Sequence, residues 1–387
     1  MDEDRSLSAE QELGRISAFF PILPMIGNHW AAKRPWEGKV VALNLHLSSL
    51  TASLVRELSL GGGEFVLSAA HPKTTDSASV QLLRNLGFTV YTGGDMEDRH
   101  QQILEHEPNL VVDVGFELIE TLLSRSKANL DVVQAAIEAS ATGIARLRTR
   151  RDGVPFPVVN VNEGRLRERV ENRHGVGEAI WQAVGRTTGM HLAGRRVLVV
   201  GYGPVGRGLA RYARAAGMAV EVCENDPVRR LFAHYDGYPT PDLSDGLHRA
   251  GLLVTATGRR EAVSVHDIEK HGRDGLVLIN AGHGGDEIDC EGIQRVATNR
   301  DHVADQVARY TFESGKRVTV LGDGHPLNIV LNAGSPEAVL LHFAVVGLTL
   351  EWLAGAPDLA PGEVAMPANI ENQAARFALD ALDPSSA

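Results

Sequence analysis

Residues 195–207 constrain the fold more than any other stretch. They read Arg-Arg-Val-Leu-Val-Val-Gly-Tyr-Gly-Pro-Val-Gly-Arg, an apolar strand that runs straight into Gly201-x-Gly203-x-x-Gly206. A helical pattern follows from Leu209 to Ala216, and a second strand, Ala219 to Cys223, ends at Glu224. In this setting the first glycine permits a tight turn, the second lets backbone approach a pyrophosphate, and the third allows close helix–strand packing. The helix start then offers its N–H groups and positive dipole end to the phosphates. Glu224 stands where a carboxylate binds the ribose 2′-hydroxyl, which favours NAD over NADP; Arg229 and Arg230 are the contrary signal. A ligand-free turn accounts for three glycines, but not for strand, helix and acid together.

The rest of the chain reads as α/β. Val40–Leu45, Glu64–Ser68, Thr89–Tyr91 and Asn109–Val114 are strand-like and alternate with helical patterns over Ser49–Leu58, Ser77–Leu86 and Asp98–His106. Pro155–Asn162 closes this first series, and Gly175–Met190 reads as a helical link. After Glu224 come the strands beginning at Leu252, Leu276 and Arg317, then a long apolar helix. Such alternation predicts two doubly wound parallel-sheet domains, one a Rossmann NAD-binding domain, facing each other across a cleft. The expected substrate domain is 1–178 plus 350–387, and the NAD domain 179–349. Residues just beyond strand ends, such as Thr257, Gly258, Asn280, Gly282 and His283, are those expected at the cofactor.

Composition excludes several classes. A net charge of −11 argues against nucleic acid and anionic membranes as partners. The most apolar stretch, Phe343–Leu353, is too short for a bilayer and carries Glu351. Two cysteines are too few for a disulfide framework, and the acidic start Met1-Asp-Glu-Asp is unlike a leader, so a cytoplasmic protein is expected. His266, His271, His283 and His302 lack a ligand spacing, so no metal is expected.

Together, Val161-Asn-Glu, Glu171-Asn172, the glycine loop, Glu224-x-Asp-Pro227, Thr255-x-Thr-Gly258 and Ala281-Gly-His-x-x-x-Glu-Ile-Asp289 resemble the S-adenosyl-L-homocysteine hydrolase family. The similarity runs from roughly Pro35 to Leu353 and is strongest from Asn160 onward. The resemblance implies a tightly held NAD that oxidises a nucleoside 3′-hydroxyl. The 4′-hydrogen then becomes acidic, the 5′-substituent is eliminated, water adds, and the ketone is reduced again. On the cofactor side it implies Thr142, Asn172, Gly201, Gly203, Val205, Gly206, Glu224, Asn225, Thr257, Gly258, Ala281, Gly282, His283 and Asn328. His46 falls where the family has a histidine near the 5′ leaving group.

The substrate side departs from the family. Arg167 replaces a lysine base, and an arginine stays protonated and cannot take a proton. Glu171 replaces an aspartate. Val114 and Ala139 replace acidic residues, and Leu50 replaces the carboxylate that reads the adenine edge, with Ser48 for its neighbouring threonine. The resemblance implies a homo-oligomer, and because the family's terminal lysine and tyrosine have no counterpart, a dimer is expected rather than a tetramer.

His46, Arg167, Glu171, Asn172, His174 and His283 are therefore the candidate catalytic residues, with His174 as a replacement base. The alternative for the Arg165–Arg173 run is a solvated helical face laced with ion pairs. Lys73 is a further candidate base. The leading expectation is an NAD-dependent enzyme that transiently oxidises a sugar hydroxyl of a small nucleoside-type substrate, followed by elimination or dehydration. A true adenosylhomocysteinase and a catalytically dead NAD-binding relative are the two alternatives.

Overall fold

The computed structural model describes residues 8–124, 130–282, 286–330 and 335–383. It divides into two compact units, Met1–Arg167 with Pro336–Ala387, and Glu168–Ser335.

The first unit is built on a seven-stranded sheet. Its strands are β1 (Val40–Leu45), β2 (Glu64–Ala69), β3 (Thr89–Tyr91), β4 (Leu110–Asp113), β5 (Ala135–Glu138), β6 (Pro157–Asn160) and β14 (Gly362–Ala365), in the order β14-β6-β5-β4-β1-β2-β3. All neighbours are parallel. The central strands are apolar and buried on both faces, as parallel strands covered by helices must be. Strand order reverses between β1 and β4, which leaves the crevice of a doubly wound sheet at their carboxyl ends.

The second unit carries β7 (Arg196–Val200), β8 (Ala219–Cys223), β9 (Leu252–Thr255), β10 (Leu276–Asn280), β11 (Asn299–Ala304), β12 (Val307–Thr311) and β13 (Arg317–Leu321). The order is β11-β12-β13-β10-β9-β7-β8, parallel except at the antiparallel pairs β11–β12 and β12–β13. Here the reversal lies between β7 and β9, where the glycine loop emerges.

Three features depart from the sequence reading. The unit boundaries fall at Arg167 and Ser335 rather than at 178 and 349. The reason is packing: the Pro336–Ala354 helix lies on the Ile22–Lys33 and Ser49–Ser59 helices and on β4 and β5 of the first unit. That helix, expected from the sequence over Pro336–Leu353, is as a whole long and apolar enough by length and composition alone to allow a membrane span, unlike its Phe343–Leu353 stretch. Most of it is buried in the core, and Glu351 accepts hydrogen bonds from Trp30 Nε1 at 3.1 Å and Lys33 Nζ at 3.0 Å. Finally, residues Arg167–Val176 wind as a π-helix before the Gly177–Thr188 α-helix begins.

Candidate functional site

In the first unit, His46 follows β1 at the strand-order reversal. Its ring is half-buried, and Nδ1 lies 2.7 Å from Thr74 Oγ1. Its own carbonyl accepts the Thr51 hydroxyl at 2.5 Å. Leu50 is buried in the first turn of the Ser49–Ser59 helix, which Ser48 caps. Thr142 is exposed in the first turn of the Ala141–Thr149 helix.

Asp113 and Glu138 pair across β4 and β5, both fully buried. They nail down the turn that follows β4. Asp113 accepts from the Val114 and Ile119 amides and from Asn44 Nδ2, while Glu138 accepts from the Gly115 and Phe116 amides and from Ser140. Burial raises both carboxyls above the usual carboxylate range, and the neighbouring Asp113 charge raises Glu138 further. Thus Val114 stands on a turn anchored by two acids beneath it.

Arg167 is not part of a solvated face. It is half-buried, and its charge, after burial itself, holds the buried His342 well below the usual histidine range. The solvated alternative fits Arg169 and Glu168, an exposed pair at 3.8 Å. Approach to Arg167 is set by Glu371 of the Ala368–Leu382 helix. Its buried carboxylate accepts the Leu166 amide at 2.8 Å and Arg165 Nε at 2.9 Å.

In the second unit, Glu171 is buried and Asn172 half-buried on the π-helix. His174 packs edge-on against Tyr212, with Nδ1 3.1 Å from the Tyr212 hydroxyl. Burial, then Arg211 and Arg173, lower it from the usual histidine range. Tyr212 lies in the second half of the Pro204–Ala215 helix, whereas the phosphate-facing end is its start. His174 is thereby placed away from the phosphate-facing start of that helix.

The glycine loop fits a dinucleotide. Gly201 has φ of 97°, and a methyl group there would lie 2.5 Å from the Ala256 carbonyl. A methyl on Gly206 would lie 2.0 Å from the Gly201 carbonyl, so helix and strand require glycine to pack. Before Gly203, by contrast, a methyl meets, among the described residues, only Arg229 Nη1 at 3.8 Å, which leaves the volume a pyrophosphate would take. Val205 is half-buried in the first helical turn. The Glu224 carboxylate accepts the Tyr202 amide at 2.7 Å and the Asp226 amide at 2.9 Å, which fixes it beside the loop; Asn225 is exposed next to it. Among the described residues Asn328 Oδ1 is buried without a hydrogen-bond partner, a cost that a bound group would relieve.

The turns after β9 and β10 are joined by Glu287, whose role the sequence reading misses. This fully buried carboxylate accepts the Thr257 amide and hydroxyl at 2.8 and 3.0 Å and the Gly258 amide at 2.7 Å. Asn280 Oδ1 accepts the Gly282 amide at 2.9 Å, and the buried Ala281 donates its amide to Thr255. His283 lies outside the described residues, as does the side chain of Lys73.

Comparison with known proteins agrees with this architecture. Residues 172–334 match the family model described as the S-adenosyl-L-homocysteine hydrolase NAD binding domain. The chain is 33% identical to an S-inosyl-L-homocysteine hydrolase of Methanopyrus kandleri, over 94% of this chain and 88% of that one. It is 31% identical to an adenosylhomocysteinase of Thermococcus kodakarensis, over 96% and 90%. Among solved structures, a dipicolinate synthase chain from Bacillus halodurans shares the fold at a TM-score of 0.54 and 14% identity, covering 84% of this chain and all of that one.

Proposed function

Since this chain belongs to the S-adenosyl-L-homocysteine hydrolase family, we propose that it hydrolyses the thioether of an S-nucleosyl-L-homocysteine whose base is read without a carboxylate. Its cofactor is NAD. Hydrolysis replaces dehydration as the leading reaction, because the relatives that match over nearly the whole chain carry hydrolase names. That match across both units, including the half that holds His46, is the observation that carries the reading.

Balanced, the reaction breaks the C5′–S bond, forms a C5′–O bond from water, and releases homocysteine and a nucleoside. Bound NAD supplies a reversible hydride acceptor for the sugar carbon, which makes the neighbouring hydrogen acidic. Gly203 and the start of the following helix take the pyrophosphate, Glu224 takes a ribose hydroxyl, and Asn328 contributes its buried carbonyl oxygen. Glu171, with Asn172 and His174, takes the proton of the hydroxyl being oxidised and returns it on reduction, while His46 gives a proton to the departing sulfur and takes one from the water that replaces it. Arg167, a permanent cation, holds a polar or anionic group of the substrate and does not accept its proton.

Leu50 supports the altered base preference. A buried leucine accepts no hydrogen bond, so an exocyclic amino group aimed at it would lose its partner, at a cost of about 1–3 kcal/mol. A 6-oxo base escapes the repulsion that a carboxylate in that place would impose on its O6, and the Methanopyrus kandleri relative is named for an inosyl substrate.

NAD-loaded protein mixed separately with S-inosyl- and S-adenosyl-L-homocysteine tests the reading through thiol release and nicotinamide absorbance. Thiol release that favours the inosyl compound is expected. NAD bound with neither signal from any nucleoside would reject it in favour of a second reading, an NAD-holding protein without turnover. Arg167 in the lysine's place is the observation that favours that alternative.

A further inference from the structure

His46 has two ring nitrogens, and which one carries the proton decides what the other can do. The ring meets Thr74 through Nδ1, at 2.7 Å. Thr74 closes the short 3-10 turn Pro72–Thr74. Its hydroxyl also lies 3.0 Å from the His71 carbonyl, to which its own amide donates at 3.1 Å. A hydroxyl has one proton to give. A carbonyl only accepts, so that proton goes to His71, and the Thr74 oxygen is left to accept from the ring. The relay therefore runs from His46 Nδ1–H to Thr74 Oγ1, and from Thr74 O–H to the His71 carbonyl.

We propose that Thr74 is a positioning residue that fixes neutral His46 with its proton on Nδ1, so that Nε2 is the nitrogen that exchanges a proton at the substrate. Catalytic meaning for Thr74 rests on the reading of His46 given above; the tautomer itself rests on geometry alone. The relay is held at both ends. The Asp76 amide donates to the Leu47 carbonyl at 2.8 Å, which ties the turn to the segment just after His46. Thr51 fixes the His46 carbonyl. Thr75 Oγ1, 2.9 Å from the same His71 carbonyl, fastens that acceptor from a second side. Neutral imidazole in water carries its proton mainly on Nε2, so the site must impose the other form, and a hydroxyl already committed as donor does so.

The test uses full-length, NAD-loaded protein labelled with nitrogen-15 in histidine. The chain has 15 histidines, so a His46→Gln sample identifies the His46 signal by difference. Long-range nitrogen–hydrogen couplings then report the tautomer in wild type, Thr74→Val and Thr74→Ser. Nδ1 protonation in wild type, its loss in Thr74→Val and its return in Thr74→Ser are expected. In the valine variant kcat falls on the order of 10–100-fold with little change in KM, and serine restores it. A wild-type His46 protonated on Nε2, or an unchanged tautomer in Thr74→Val, overturns the proposal. A His46→Gln enzyme that turns over like wild type instead overturns the assignment of His46, and removes any catalytic meaning for Thr74 whatever the spectrum shows.

Discussion

Leu166 donates its amide to the Glu371 carboxylate at 2.8 Å, across 205 positions of sequence. The residue before Arg167 is thus held by a helix near the C-terminus, and the two oxygens of one acid do unequal work. Arg165, paired with the same carboxylate, has a side chain 66% exposed, against 7% for Glu371. An exposed partner contributes well under about 1 kcal/mol, whereas a buried amide left without an acceptor costs about 1–3 kcal/mol. Glu371→Ala should therefore lower stability by about 1–3 kcal/mol in urea unfolding, and Glu371→Gln, which keeps an acceptor for Leu166, by less than half as much.

Gly203 and Gly206 separate cofactor binding from folding. Gly206→Ala drives a methyl into the Gly201 carbonyl and should lower the melting temperature of the protein even without NAD. Among the described residues Gly203→Ala meets only the Arg229 side chain, so its cofactor-free melting temperature should match wild type. Its NAD affinity should fall at least about tenfold, because the methyl takes the space of the pyrophosphate. Calorimetric titration with NAD beside thermal melts reads both effects.

The Asp113–Glu138 pair carries a defined pH dependence. Both carboxyls are raised in the fold, so the native state holds more protons than the unfolded chain between the two sets of values. Their contribution is fully present below the unfolded carboxylate range and is lost as pH rises through the folded values. Glu138→Gln mimics the protonated acid and has no such loss. The melting temperature of Glu138→Gln minus that of wild type should become more positive from pH 5 to pH 8; a difference that shrinks over that range would contradict the assignment.

Leu50→Glu should move base preference. A carboxylate there offers an acceptor to an amino group, and the ratio of kcat/KM for the adenosyl over the inosyl thioether should rise about 10–100-fold. Measuring both substrates in the same preparation removes any common loss from burying a charge beside the core.

The cofactor half was legible because its function is written in local spacing. Gly201, Gly203, Gly206 and Glu224 do their work through backbone geometry within one strand–turn–helix unit, and the structure places them around one loop. The other half is assembled from distant segments. Strand β5 begins Ala135-Ala136, without the β-branched residues that mark strands, and the edge strand β14, which pairs with β6, lies beyond the long apolar helix. With β5 unseen, Glu138 has no strand end to sit on, and its pairing with Asp113 is invisible. The π-helix at Arg167–Val176 is likewise silent in sequence, because its charged residues repeat with no apolar period. Glu287 could be quoted within a motif, but its task of tying the turns after β9 and β10 is a tertiary fact.

Strand β14 pairs with β6 along Pro157–Asn160, after the whole second unit has intervened in the chain. During synthesis, the NAD-binding unit is complete as soon as Ser335 leaves the ribosome. The unit holding His46 at that moment still lacks its long apolar helix and one edge of its sheet. The half made first is therefore finished last.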